Sequence, residues 1–236
     1  MNSHSRIVWC LFALVVVAGC ASTKVTDRQM LVNEKLPRPD HILVYDFVAT
    51  PADVPADSAL AGAYSEDPTP QTAEQIETGR QLGAQIAAQL VEEIRRMGLP
   101  GVRPSSQTTP RINDIVIRGY LLSIDEGSAV KRVAIGFGSG ASELRTAVEA
   151  YQMTAQGLRK LGSATVESGG SKTPGGALGL ATLIATGNPV GLIVSTGVKV
   201  YGEKSGSSKI EGRAEKTAKE IADGLKTRFE QQGWIK

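Results

Sequence analysis

Cysteine and histidine are the scarcest chemistry-bearing residues of this 236-residue chain, with two of each. Both cysteines, Cys10 and Cys20, fall within the first twenty residues. Nothing downstream can therefore form a disulfide, a cysteine metal site or a cysteine nucleophile. His4 lies in the same stretch, which leaves His41 as the lone imidazole of the remainder. A Ser-His-Asp triad or a His-rich zinc site would have to be built around it. Behind Pro37 and Pro39 and directly before an apolar run, His41 reads instead as a strand-edge residue. An excess of one charge is missing as well: 26 basic against 24 acidic residues give +2. Nucleic-acid-binding domains usually carry a strongly basic stripe, and none is visible. These shortages predict a domain with no metal, no cofactor, no nucleic-acid partner and no assignable catalytic residue.

The first twenty residues carry the clearest signal. Arg6 supplies the positive charge of a secretory leader, and Ile7 to Ala18 form an uncharged apolar run of signal-peptide length. A membrane span needs about 20 such residues. The run closes on Val17-Ala18-Gly19-Cys20, which resembles the lipobox of bacterial lipoproteins. That resemblance implies cleavage between Gly19 and Cys20 and acylation of Cys20, palmitate among the chains. Ala21 stands where lipoproteins retained in the inner membrane carry aspartate, which implies the outer membrane, with the domain facing the periplasm unless it is flipped outward. One acyl chain binds a bilayer with K of only about 10⁴ M⁻¹, and a second signal makes attachment stable. The competing reading is an uncleaved N-terminal helix with an incidental cysteine.

Behind the leader, residues 20–40 are polar, contain Pro37 and Pro39, and read as a lipidated N-terminus and tether. Residues 41–235 then read as a single α/β domain. Ile42 to Val48, apolar apart from Asp46, predicts a strand buried on both faces, usually in mid-sheet. Residues 49–71, with four prolines, form a loop. Thr72-Ala73-Glu74-Gln75 matches a capping box, and Ile76, Gly79, Gly83, Ile86, Leu90, Val91, Ile94 and Met97 share one face of the helix that follows, with Gly98 as its stop. Gly79 and Gly83 suit close approach to a strand. Asp114 to Asp125 predicts a strand, Asp125 to Ser128 a turn, and Val130 to Phe137 a return. Ser142 to Thr154 alternates, with Leu144, Thr146, Val148 and Ala150 on one face and Glu143, Arg145, Glu149 and Tyr151 on the other, as in a half-exposed antiparallel strand. A short strand over 163–168 follows. Ile210, Ala214, Ala218, Ile221, Leu225 and Phe229 mark a final helix that stops at Gly233, with Trp234 and Ile235 folding back. The fold class is α/β (α+β): a mixed sheet of about five strands, two packing helices and an apolar Gly-rich helical insert over 175–200.

Several of these segments, read together, resemble a known family. The strand ending in Asp46-Phe47, the Gly119 to Gly127 strand and turn, and Arg132-Val133-Ala134-Ile135-Gly136-Phe137-Gly138-Ser139-Gly140-Ala141-Ser142 are similar to the domain-of-unknown-function family 4410 of Gram-negative lipoproteins. The resemblance implies an envelope location and this order of elements, with no established activity. More distantly, the element order is similar to the periplasmic domain of the curli secretion lipoprotein and the N-terminal domain of TolB.

Two stretches are candidate sites. Arg132, Gly136, Phe137, Gly138, Gly140 and Ser142 surround a glycine run whose backbone amides could form an anion nest or meet another backbone. Its spacing is G-x-G-x-G, followed by a strand, whereas a dinucleotide fingerprint needs G-x-G-x-x-G and a helix. The second is the uncharged run Ala177–Val198, which reads as a glycine-rich helical pair packed on its own domain or in an oligomer interface, with a membrane-resting hairpin and a true span as alternatives; Leu180, Ile184, Pro189, Leu192 and Val194 are its candidate contacts to a membrane or to a second copy. Asn188-Pro189 at its centre favours two short segments over one straight span. The function expected is an outer-membrane-anchored, non-enzymatic binding or assembly domain. Its partners are the membrane through the lipid, envelope proteins, or copies of itself. A subunit of a membrane-inserting or secretion-type assembly and an anion- or nucleotide-binding enzyme are the alternatives.

Overall fold

A computed structural model describes residues 23–58, 72–105, 107–125, 143–169 and 207–236. The strands are β1 (Thr23–Met30), β2 (Ile42–Val44), β3 (Gly101–Val102), β4 (Ile115–Asp125), β5 (Glu143–Thr154) and β6 (Gly157–Gly169), and the helices α1 (Ala73–Arg96) and α2 (Ser207–Gln232). They form one mixed six-stranded sheet in the order β1-β6-β5-β4-β2-β3. Both helices pack on one face of it, against Ile42, Ile117, Leu144 and Val148.

Local sequence explains α1 almost completely. Gln75 N donates to Thr72 Oγ1 over 3.2 Å, while Thr72 N donates to Gln75 Oε1 over 2.8 Å, closing the capping box. Arg95 and Arg96 sit in the last turn, where cations favour the helix dipole. Gly98 ends the helix at φ +79°, a conformation that favours glycine. Ile86, Leu90 and Ile94 are fully buried, and each contributes about 1.5–3 kcal/mol before the entropy of ordering it. The final helix ends as its sequence predicts. Gly233 has φ +78°, and Trp234 folds back onto Phe229 with ring centroids 5.4 Å apart.

β2 is buried on both faces, as its unbroken apolar run predicts, although only the two-residue β3 lies outside it. Beyond β2 the chain squeezes between α1 and β4. Phe47 N donates to Gly83 O, and Val48 N donates to Gly119 O over 2.8 Å. A Cβ on Gly83 would lie 2.1 Å from Phe47 O, and one on Gly119 would lie 2.2 Å from the Phe47 ring. The close approach expected at Gly83 is therefore real, and Gly119 supplies the other wall.

Two expectations are corrected. Residues 23–30, read as part of a tether, are β1, paired antiparallel with β6. Their alternation is masked by polar and charged residues typical of an edge strand, and the pairing is non-local. The second correction concerns β5, whose outer face is not half-exposed: Glu149 and Tyr151 are buried there. The chain after β2 turns over that face at Asp57 and Ser58 and covers it.

The register gives the sheet two different ends. Thr23 lies opposite Ser168, Glu143 opposite Gly169, and Asp125 opposite Glu143. The start of β1, the end of β6, the start of β5 and the end of β4 therefore lie side by side. β2 runs parallel to β4, with Val48 beside Tyr120, so it heads for the same end. α1 runs back from that end, since Gly83 meets Phe47 while Ile94 meets Gly101. At the opposite end sit the short turns, Met97–Pro100 and Ala155–Gln156.

Gly119→Ala should destabilise the domain by about 1–3 kcal/mol, because the added methyl overpacks against Phe47. Gly212→Ala, where a Cβ meets nothing within 4 Å, should instead stabilise it by about 0.5–1 kcal/mol through helix propensity. Urea unfolding of the two variants measures both.

Candidate functional site

The residues singled out from sequence, namely Gly19 and Cys20, the Arg132 to Ser142 loop and the Leu180 to Val194 contacts, lie outside the described residues. What the structure fixes is where their segments join the sheet. Residues 1–22, 126–142 and 170–206 all connect at the end where β1 starts and β6 stops.

Among the described residues the densest polar cluster is one the sequence does not announce. The Glu149 side chain is 0% exposed. Its Oε2 accepts hydrogen bonds from Ser58 Oγ (3.0 Å), Tyr120 OH (3.0 Å) and Tyr151 OH (2.7 Å), and its Oε1 accepts one from Lys160 Nζ at 2.6 Å. Each donor comes from a different element except Tyr151, which shares β5 with the acceptor. Arg118 stacks over the Tyr151 ring at 5.3 Å and pairs with Asp57 at 2.8 Å. Burial would lower the Arg118 pKa, but the hydrogen bond and charge of Asp57 outweigh it and raise it. Burial, reinforced by the Glu149 charge, pushes the Tyr120 phenol far above its ordinary value. A carboxylate held by this many internal donors is built to fix the loop at Asp57–Ser58 to the sheet.

His41 has a partner that sequence spacing could not show. Its Nδ1 lies 3.1 Å from Asp114 Oδ1, and the other oxygen of that buried carboxylate accepts from Arg111 N at 2.8 Å. Asn113, at φ +77°, donates to Arg38 O and accepts from Gln152. The pair closes the turn before β4, and His41 sits at the strand edge as expected.

Among the described residues there is also an open apolar concavity. It lies between α2 and the β1–β6 edge of the sheet, has a volume of about 180 Å³, and is walled by Val25, Leu36, Leu161, Val166, Leu225 and Phe229. Arg28, Arg228 and Glu220 stand at its rim, and Arg228 donates to Val32 O. Small-molecule and cofactor sites run to about 300–1,000 Å³, so this groove has the size of an anchor pocket for one or two side chains. Among the described residues no group of His, Cys, Asp and Glu could hold a metal ion, and no helix is long and apolar enough to cross a membrane.

The model of the family described as "Domain of unknown function (DUF4410)" matches residues 42–187. This chain belongs to that family. No curated protein matches it. Among solved structures it is similar to two PelC dodecamers from Paraburkholderia phytofirmans. One of them, a single-residue variant, is 16% identical at a TM-score of 0.37, with 71% of this chain and 89% of that one covered. The other is 16% identical at 0.32, covering 72% and 98%. Similarity at this level says nothing about what the present chain binds.

Glu149→Gln removes the counter-charge of Lys160 and leaves one acceptor oxygen where the carboxylate offered Lys160 and the three hydroxyls two. Breaking a buried charge pair costs about 3–5 kcal/mol. Lys160, 18% exposed, can turn to water, so the loss should be near the low end, about 3 kcal/mol in urea at pH 7. The raised Tyr120 pKa has a definite sign. The unfolded phenol ionises from about pH 10 while the folded one stays protonated, so stability is intact below that pH and falls as pH rises above it. Tyr45, also raised by burial, adds in the same direction. Tyr120→Phe should flatten the fall above pH 10, measured by urea midpoints.

Proposed function

We propose that the chain is an outer-membrane lipoprotein, cleaved after Gly19 and acylated on Cys20, whose single domain faces the periplasm as a non-enzymatic binding or assembly module. The apolar groove beneath α2 is the observation that carries this reading. It is an open, side-chain-sized pocket with apolar walls and a charged rim of Arg28, Arg228 and Glu220, suited to anchoring a protein partner of the envelope or a second copy of the chain. The polar clusters at Glu149 and Asp114 support it in turn, since their oxygens are occupied by donors of the fold itself. The glycine loop from Arg132 to Ser142 and the insert positions Leu180, Ile184, Pro189, Leu192 and Val194 would add further contacts with partner, copy or bilayer.

Intact-mass analysis of protein purified from membranes should show Cys20 as the acylated N-terminus. Cross-linking of that protein in envelopes, with sedimentation of the purified form, should reveal a partner or self-association. Leu225→Lys places a charge on the groove wall and should abolish the association, with some loss of melting temperature because Leu225 packs on the core but with the folded circular dichroism spectrum retained. Lys226→Ala, on the same helix outside the groove wall, should have no effect. Equal association by wild type and Leu225→Lys would overturn the groove reading.

A further inference from the structure

We infer that the domain stands end-on against the lipid bilayer, with the end of the sheet where β1 begins and β6 stops turned toward it. This rests on the acylation of Cys20 proposed above, and it adds an orientation that acylation alone does not give. Between Cys20 and Thr23, the first residue of β1, lie only Ala21 and Ser22. Three residue steps reach at most about 10 Å when fully extended. A flexible tether of twenty residues would give an r.m.s. span of about 25 Å and free tumbling. The difference follows from β1. Its cross-strand partners on β6 run from Thr23↔Ser168 to Met30↔Gly162, so the anchor leaves from a strand locked into the sheet.

Topology reinforces the orientation. The connection carrying the uncharged run Ala177–Val198 leaves at Gly169 and rejoins the described fold at Ser207. Gly169 lies at the anchored end. Ser207 does too, because α2 travels in the same sense as the chain from β1 onward. Gly224 lies over Arg28, Arg228 donates to Val32 O, and Leu36 N donates to Gln232 Oε1. The β4–β5 connection, with Arg132 and the glycines, starts beside it at Asp125. The one element order thus roots the lipid-bearing residue and the most apolar internal run at a single end. The opposite end, with the Ala155–Gln156 turn, points into the periplasm.

The test uses the full acylated chain in vesicles of phosphatidylethanolamine and phosphatidylglycerol carrying a headgroup-attached quencher. With Cys10 removed in the leader and Cys20 blocked by acylation, one introduced cysteine takes the fluorophore alone. Glu167→Cys labels the bilayer end of β6 and Gln156→Cys the far end, about 36 Å apart along the strand. Lys216→Cys on α2 is a second label near the bilayer end, for use if the Glu167 variant folds poorly. Quenching at 167 or 216 should exceed that at 156 by at least about threefold, as expected for labels ~36 Å apart in depth. Equal quenching at the two ends, with acylation of Cys20 confirmed by mass, would overturn the orientation and leave the lipoprotein reading standing. Absence of acylation would instead remove the lipoprotein reading itself, and the orientation with it.

Discussion

The pairing of β1 with β6 is the interaction on which the rest of this molecule depends. Eight residues of a polar, charged segment are drawn onto the edge of the sheet, with a register irregularity between Thr26 and Gln29. Such irregularities bend an edge strand and discourage further strands from adding to it. Once β1 is in place it supplies one wall of the groove under α2, and the segment behind it holds the end of that helix. Lys35 Nζ donates to Gln231 O, Gln232 Nε2 donates to Glu34 O, and Trp234 Nε1 donates to Leu36 O. The N-terminal and C-terminal parts of the chain, roughly two hundred residues apart in sequence, are thus one structural unit.

The two faces of the sheet are stabilised by different chemistry. The helix face is an apolar core in which α1 and α2 cover β2, β4 and β5. The other face centres on a buried carboxylate, and an unpaired charge there would cost several kcal/mol. Lys160 and three hydroxyls offset that cost and in doing so fix the loop at Asp57–Ser58. A polar network that is fully satisfied specifies geometry more than it adds stability. The oxygens of Glu149 already carry their bonds. Among the described residues the apolar groove is an open concavity, and its walls come from both ends of the chain.

Sequence made the helices and the middle strands legible because their signals are local. The capping box at Thr72, the glycine stops at Gly98 and Gly233, and the alternation of β5 each act within a few residues. β1 escaped notice because an edge strand needs little hydrophobicity, and its partner lies well over a hundred residues away. The burial of Glu149 escaped for a related reason. Alternation assigns a residue to a face but does not say whether that face is covered, and the cover comes from a distant loop. The partner of His41 was equally non-local, since Asp114 approaches it only through the parallel pairing of β2 with β4. The groove had no sequence signature, because Val25 and Leu36 lie in the stretch read as a tether while Leu225 and Phe229 read only as the core face of the final helix. Cys20, the glycine loop and the apolar insert were the sharpest motifs, and of these the described residues fix only the points of attachment.

Amide hydrogen exchange on the acylated protein in vesicles tests the central claim most directly. If β1 belongs to the sheet from its first residue, every second amide over Thr23–Thr26 and that of Leu31, which donates to Leu161 O, should exchange slowly, at rates within about tenfold of their β6 partners and governed by opening of the sheet. Exchange of those amides at open-chain rates, with β6 still protected, would show that residues 23–30 are a free tether and would contradict the account.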